Sequence, residues 1–235
     1  MIARLATVVM AVALACPAWA QDTEFAIDRD ESVFAVVTHK GGVAARFAHN
    51  HFVFPREYEY RITSAQKTIE DLTFSLSFKT SALASDLPDA QKKWFPELKR
   101  SGVLKDPFRE IAEDDRVTIR EHMLAEDQLD AKGHPDITAE LIGLRRESAT
   151  LGEAPFDWMA KIALTVRGKR VEREIPARIT LKEGNLSIDA IGAFRFTEFG
   201  IKPYSAMLGA VKNEDEFHVF AHIQARAGAA AESGG

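Results

Sequence analysis

The stretch from Pro155 to Phe196 constrains the fold most, because an apolar residue stands at nearly every second position through three consecutive segments. Phe156, Trp158, Ala160, Ile162, Leu164 and Val166 fall on one face, with Asp157, Lys161, Thr165 and Arg167 on the other. That period of two belongs to a strand, not a helix. Arg167 to Arg170 puts Gly168 where a hairpin turn needs a residue tolerant of positive φ, and Val171, Ile175, Ala177, Ile179 and Leu181 then resume the alternation. Lys182 to Asn185 reads as a second turn. Beyond it Leu186, Ile188, Ala190, Gly192, Phe194 and Phe196 share a face against Ser187, Asp189 and Arg195. A sheet with one apolar and one wetted face must bury the apolar one, against a partner sheet or by curling on itself.

The rest of the chain supplies more wall. Residues 24–38 predict one long bent strand or two short ones, broken at Asp28 to Glu31. Gly41-Gly42 marks a turn, and Val43 to Ile62 reads as a strand that Pro55 kinks or places on an edge. Leu72, Phe74, Leu76 and Phe78 alternate with polar residues in a third strand. Between Asp86 and Gln128 the period changes. Asp89 to Lys99 predicts a short helix broken at Pro96, and Glu113-Asp114-Asp115 opens a second helix through Leu124, acidic where the helix dipole favours it. Such an insertion closes one end of a sheet or covers an edge. Ile137 to Leu144 is the fourth strand and Phe217 to Ala225 the last, with Phe217, Val219, Ala221 and Ile223 on one face. The count is about eight antiparallel strands: an all-β, up-and-down barrel with a helical insertion. An interior of that size is filled by side chains or holds one apolar ligand.

Charge and motifs narrow the function. A net charge of -5 over 235 residues argues against a nucleic-acid footprint, which needs a basic face. No apolar run after the N-terminus is long enough for a stable membrane span. Arg4, the apolar run Leu5 to Ala15 and Ala18-Trp19-Ala20 form a secretory leader pattern, so residues 1–20 read as a signal peptide cleaved after Ala20. The expected location is periplasmic or secreted. Lipid anchoring at Cys16, the only cysteine, is the rival, with Ala13 standing where a lipobox usually has leucine. The barrel domain is then 21–226, and the Ala/Gly/Ser-rich 227–235 a disordered tail. No Gly-x-Ser-x-Gly elbow, phosphate loop or His-Glu-x-x-His occurs, so the chain reads as a binding protein, not an enzyme, with no cofactor required.

The order of these parts resembles the YceI-like family of exported bacterial proteins. FAIDRDESVFAVVTHKGG is similar to the family's opening pattern, AEDQLDAKGHPDITAEL to its segment leading through Pro into a strand, and LTVRGKRVEREIPARI to its Leu-Thr-hydrophobic-Arg-Gly hairpin. FRFTEFGIKPYSAMLGAVKNEDEFHVFAHIQA is similar to the closing stretch, so the resemblance runs from about Phe25 to Ile223. It implies a lipocalin-like barrel whose interior holds a polyisoprenoid or similar amphiphilic lipid. Departures are the long acidic insertion from Pro88 to Asp130 and the string Ala48-His49-Asn50-His51. The expected partner is an apolar or amphiphilic lipid, and a homodimer is left open.

Candidate ligand-binding residues on the barrel lining are Phe74, Leu76, Phe78, Trp158, Ile162, Leu164, Phe194 and Phe196; the bland alternative is that they pack the interior solid. His49 and His51, one residue apart, would project from one strand face and could present two imidazoles to a metal or haem, with His39 as a third ligand across a hairpin. That is the alternative function. His218 and His222 share a face with Phe220 and read as outer-wall residues. Lys161, Arg167, Lys169, Arg170 and Arg173 crowd one hairpin, as a solvated tip or a phosphate-binding patch.

Overall fold

A computed structural model, describing residues 22–206, 208 and 210–228, places the alternating segments in twelve strands, with two α-helices between the sixth and seventh. The strands are β1 (Thr23–Ile27), β2 (Val33–Gly41), β3 (Phe52–Pro55), β4 (Glu59–Ser64), β5 (Leu72–Lys79) and β6 (Leu83–Ser85). Then follow α1 (Pro88–Arg100), α2 (Glu113–Leu124), β7 (Asp136–Leu151), β8 (Ala154–Val166), β9 (Lys169–Lys182), β10 (Asn185–Arg195), β11 (Ser205–Ala206) and β12 (Val211–Ala227). The leader pattern, Cys16 and residues 229–235 lie outside the described residues. Ala227 ends a strand, and Gly228 donates its N–H to Glu24 O at 2.8 Å, so ordered pairing runs past the expected boundary at 226.

Strands β1-β4-β5-β7-β8-β9-β10-β12 pair antiparallel in that order, and β12 returns to β1 through Phe25↔Ala227, Ala26↔Arg226 and Ile27↔Ala225. The result is the closed eight-stranded barrel expected of this pattern, free of edges along its wall. Two hairpins fix its register. Arg167 and Gly168 (φ 50° and 68°), and Glu183 and Gly184 (φ 53° and 77°), both stand in the left-handed region, as the turn that matches strand twist requires. β2 continues β1 past a polar bend and pairs farther along β12, from Val33↔His222 to Thr38↔Phe217. β3 and β6 extend β2 outward as a short flap.

Two expectations need correction. The second strand divides into β3 and β4 after Pro55, and residues 43–51 are not strand but a 3-10 turn at Ala45–Phe47 and irregular chain. The first helix is not broken: α1 runs through Pro96, because Pro96 and Lys92 both face solvent and water can satisfy the carbonyl that the missing N–H leaves free. Pro88 in its first turn and Lys99 and Arg100 in its last suit the dipole. No helix among the described residues is long and apolar enough to cross a membrane.

Two apolar clusters result. One fills part of the barrel interior and includes Trp158, Ile179, Leu186 and Phe194. The second lies outside the wall, where Trp94 and Leu98 of α1 and Val103 and Leu104 after it cover Val33, Ala35 and Val37 of β2, Ile191 of β10 and Phe220 of β12. Phe156, expected on the inner face with Trp158, belongs to this outer cluster, with the Arg178 guanidinium 5.9 Å from its ring; it stands near the start of β8, beyond the last residue of that strand paired with β9, Trp158.

Candidate functional site

Between the interior cluster and the helical insertion the barrel holds a partly open cavity of about 360 Å³. Its size follows from side-chain volume at particular rows. Ala177 pairs with Ala190, and Ala190 with Ala221, so three methyl groups line up across β9, β10 and β12; Ala160 of β8 and Ala139 of β7 also line the cavity, each paired with larger residues. Gly192, the next inward position along β10, lies under Ile175, whose Cγ2 would stand 2.1 Å from a Cβ placed there. Close-packed interiors leave few voids larger than a water, so a void of this size reflects the small residues themselves.

Six of the eight predicted lining residues reach the cavity: Phe74, Leu76 and Phe78 on β5, Ile162 and Leu164 on β8, and Phe196 beyond β10. Trp158 and Phe194 do not, and the expectation is corrected for both. Trp158 is buried in the interior cluster with Arg146 stacked 4.8 Å from its ring, and Phe194 stacks on Phe217 at 6.0 Å and on Phe199 at 6.1 Å. Both spend their faces on packing. Sequence reasoning missed the alanine row and did not name the side chains with which the insertion meets the cavity. Thr118, Ile119, His122 and Met123 of α2 line the cavity, so the insertion closes the mouth, and Arg120 holds α2 down by donating to Leu83 O at 2.9 Å and Ser81 O at 2.5 Å.

The mostly apolar wall also carries polar side chains: Thr38, His51 and Asn213, then Thr118, His122 and Gln128 from α2 and the turn after it, and Thr73, Glu140 and Tyr204. His51 is held there by a buried carboxylate. His51 Nδ1 lies 2.8 Å from Asp86 Oδ2, while Asp86 Oδ1 accepts from the Phe52 N–H and from Gln91 Nε2, both at 2.9 Å. Asp86 takes up φ 56°, a left-handed conformation that Asp tolerates better than most residues, and its side chain has no exposed surface. The His51 N–H donates to Thr38 Oγ1, which ties the segment to β2.

The metal arrangement does not assemble. His49 and His51 are not on a strand; their ring centroids stand 6.4 Å apart, because His51 turns to Asp86. Burial lowers the pKa of His49, and the nearby His51 and Arg109 lower it further. His39 turns the other way, its Nε2 lying 2.8 Å from His218 Nδ1. Among the described residues no group of three or more His, Cys, Asp or Glu side chains is placed to hold a metal ion. His222 is likewise outside the barrel, 2.5 Å from Asp189 Oδ1 and 5.0 Å from the Trp94 ring. The basic hairpin is largely neutralised: Lys161 pairs with Glu172 and Arg170 with Glu140, each at 2.8 Å, and Arg173 with Glu198. These exposed pairs leave little cationic surface for a phosphate.

A family model described as the YceI-like domain matches residues 25–225. Comparison with curated proteins gave no match. Among solved structures, BcnA of Burkholderia cenocepacia is similar at a TM-score of 0.56 and 11% identity, over 85% of this chain and 99% of that one. A polyisoprenoid binding domain from Saccharophagus degradans, implicated in plant cell wall breakdown, is similar at a TM-score of 0.51 and 6% identity, over 87% of this chain and 98% of that one.

Proposed function

The chain belongs to the YceI-like family, and from that premise we propose that it is a periplasmic carrier that shelters the apolar tail of an amphiphilic lipid, such as a polyisoprenoid, in the barrel. The observation that carries the reading is the cavity of about 360 Å³ inside the barrel, walled mostly by Phe, Leu, Ile, Val and Ala. Apolar cavities stay dry and accept apolar guests, because water inside finds too few polar partners. Each Å² of tail removed from water contributes roughly 25 cal/mol, so a tail of several isoprene units binds without any specific polar contact. The resemblance to a polyisoprenoid binding domain supports the tail class, and the leader pattern at residues 1–20 supports export.

Native mass spectrometry on protein purified from its own periplasm tests this directly. A carrier shows an added mass that moves into organic solvent on extraction, and the same spectrum reports whether one chain or two are present. Protein that carries no such mass and takes up no long-chain isoprenoid when offered one would rule the carrier out.

A further inference from the structure

Resting on the carrier reading, we propose that the head of the bound amphiphile is a neutral O–H group, such as that of a prenol, and that His51 Nε2 accepts its proton, with Asp86 as the positioning residue. The cavity lining contains no Lys or Arg; Glu140 is its one charged side chain among the described residues. An anionic head would therefore meet no cation inside. Two histidines, His51 and His122, stand among the polar side chains of a mostly apolar wall, and His51 is the one whose ring a buried carboxylate holds.

The hydrogen bonds of Asp86 settle which ring nitrogen is left for an occupant. Asp86 is buried and accepts three hydrogen bonds: two N–H groups on Oδ1 and His51 Nδ1 on Oδ2. A carboxylate only accepts, so the neutral imidazole carries its proton on Nδ1 and presents a lone pair at Nε2. No hydrogen bond from a described residue reaches Nε2, and His51 lines the cavity. The nitrogen left to a guest is thus an acceptor, and its natural complement is an O–H donor. The guest's oxygen can in turn accept from the Thr38 hydroxyl, whose Oγ1 lies 3.2 Å from the His51 backbone N.

The test compares geranylgeraniol with its methyl ether, which keeps the tail and the oxygen but has no proton to donate, by displacement of an apolar fluorescent dye. The wild-type protein is expected to bind the alcohol about three- to tenfold more tightly, the range of one net hydrogen bond. In His51→Leu both ligands should bind alike. Asp86→Asn is the sharper variant, because its side-chain oxygen must stay with the Phe52 and Gln91 N–H groups, which turns its NH₂ toward His51 Nδ1. The imidazole then carries its proton on Nε2, and the preference for the alcohol should vanish although His51 is intact. Thermal melts confirm that each variant is folded. Equal binding by the wild type, or a preference that survives both substitutions, overturns the assignment while leaving the carrier standing. If neither ligand binds the wild type, the carrier reading falls and this assignment with it.

Discussion

On the outer face of β2, β10 and β12, the apolar residues Val33, Ala35, Val37, Ile191 and Phe220 are covered by the chain itself, through Trp94, Leu98, Val103 and Leu104. On the inner face of the same strands, Phe34, Val36, Ala190, Val219 and Ala221 look onto open space. Hydrophobicity is therefore not what separates a packed compartment from a hollow one. The outer surface is convex and needs a cover, which the insertion supplies with two large side chains on one face of α1. Inside, the sheet closes on itself and faces its own strands, and the alanine row withholds the volume that would complete the packing. Polar anchoring differs as well. The outer compartment centres on Asp189, held by Arg178 and His222 at 2.5 Å each, with Arg178 also 3.6 Å from Glu97, whereas in the cavity wall it is His51 that a buried carboxylate, Asp86, holds.

The comparison predicts opposite responses to a change of volume. Trp94→Ala empties a site that the chain fills, and should cost about 3–5 kcal/mol in urea unfolding, with affinity for an apolar ligand little changed in the folded protein. A loss of binding without loss of stability would reverse the assigned roles. Ala190→Leu with Ala221→Leu fills a site that the chain leaves empty. Stability should hold or rise, while each ~55 Å² of tail surface denied by the new side chains lowers affinity about tenfold. Unchanged affinity would show that the tail does not lie along the alanine row.

How much of this the sequence discloses depends on whether a feature is local. The eight-stranded wall is legible because alternation and turn glycines are properties of neighbours along the chain, as at Arg167-Gly168 and Glu183-Gly184. The cavity is not. Ala177, Ala190 and Ala221 were each placeable on an inner face, yet only cross-strand register brings them side by side, and no local pattern states that register. Large apolar residues draw the eye as lining, but Trp158 and Phe194 use their bulk to close the interior off. The hold on His51 escapes the local pattern for the same reason: His51 and Asp86 are 35 residues apart in the chain and meet through a left-handed backbone turn. The His-x-His spacing suggested a strand face because two residues of pitch fit one, while the local hydrogen bonds of Thr38 and Asn50 make the segment irregular.

Acid provides the mildest way to separate the two compartments. His39 and His218 face one another at 2.8 Å on the outer side of β2 and β12, beside the segment that follows α1. Burial lowers both pKa values below the ordinary 6.5; Glu216 and Glu214 partly oppose this at His39, and at His218 the neighbouring His39 adds to the lowering while Glu216 opposes it. Below 6.5 the unfolded chain then takes up protons that the folded chain refuses, so stability is complete above that value and is lost as pH falls through the folded values. His49 shifts in the same direction. At Asp189 burial acts upward, but the His222 and Arg178 hydrogen bonds prevail and hold the carboxyl below 3.8, so its contribution is lost only in stronger acid. Melting temperature should therefore fall between pH 7.5 and pH 5.5, by about 2–4 °C for each kcal/mol lost at this chain length. His39→Gln with His218→Gln should flatten most of that slope, leaving the part due to His49. A melting temperature that does not change over this range, or a slope the double variant leaves intact, would mean that the histidine pair is not what ties the outer layer to the wall at neutral pH.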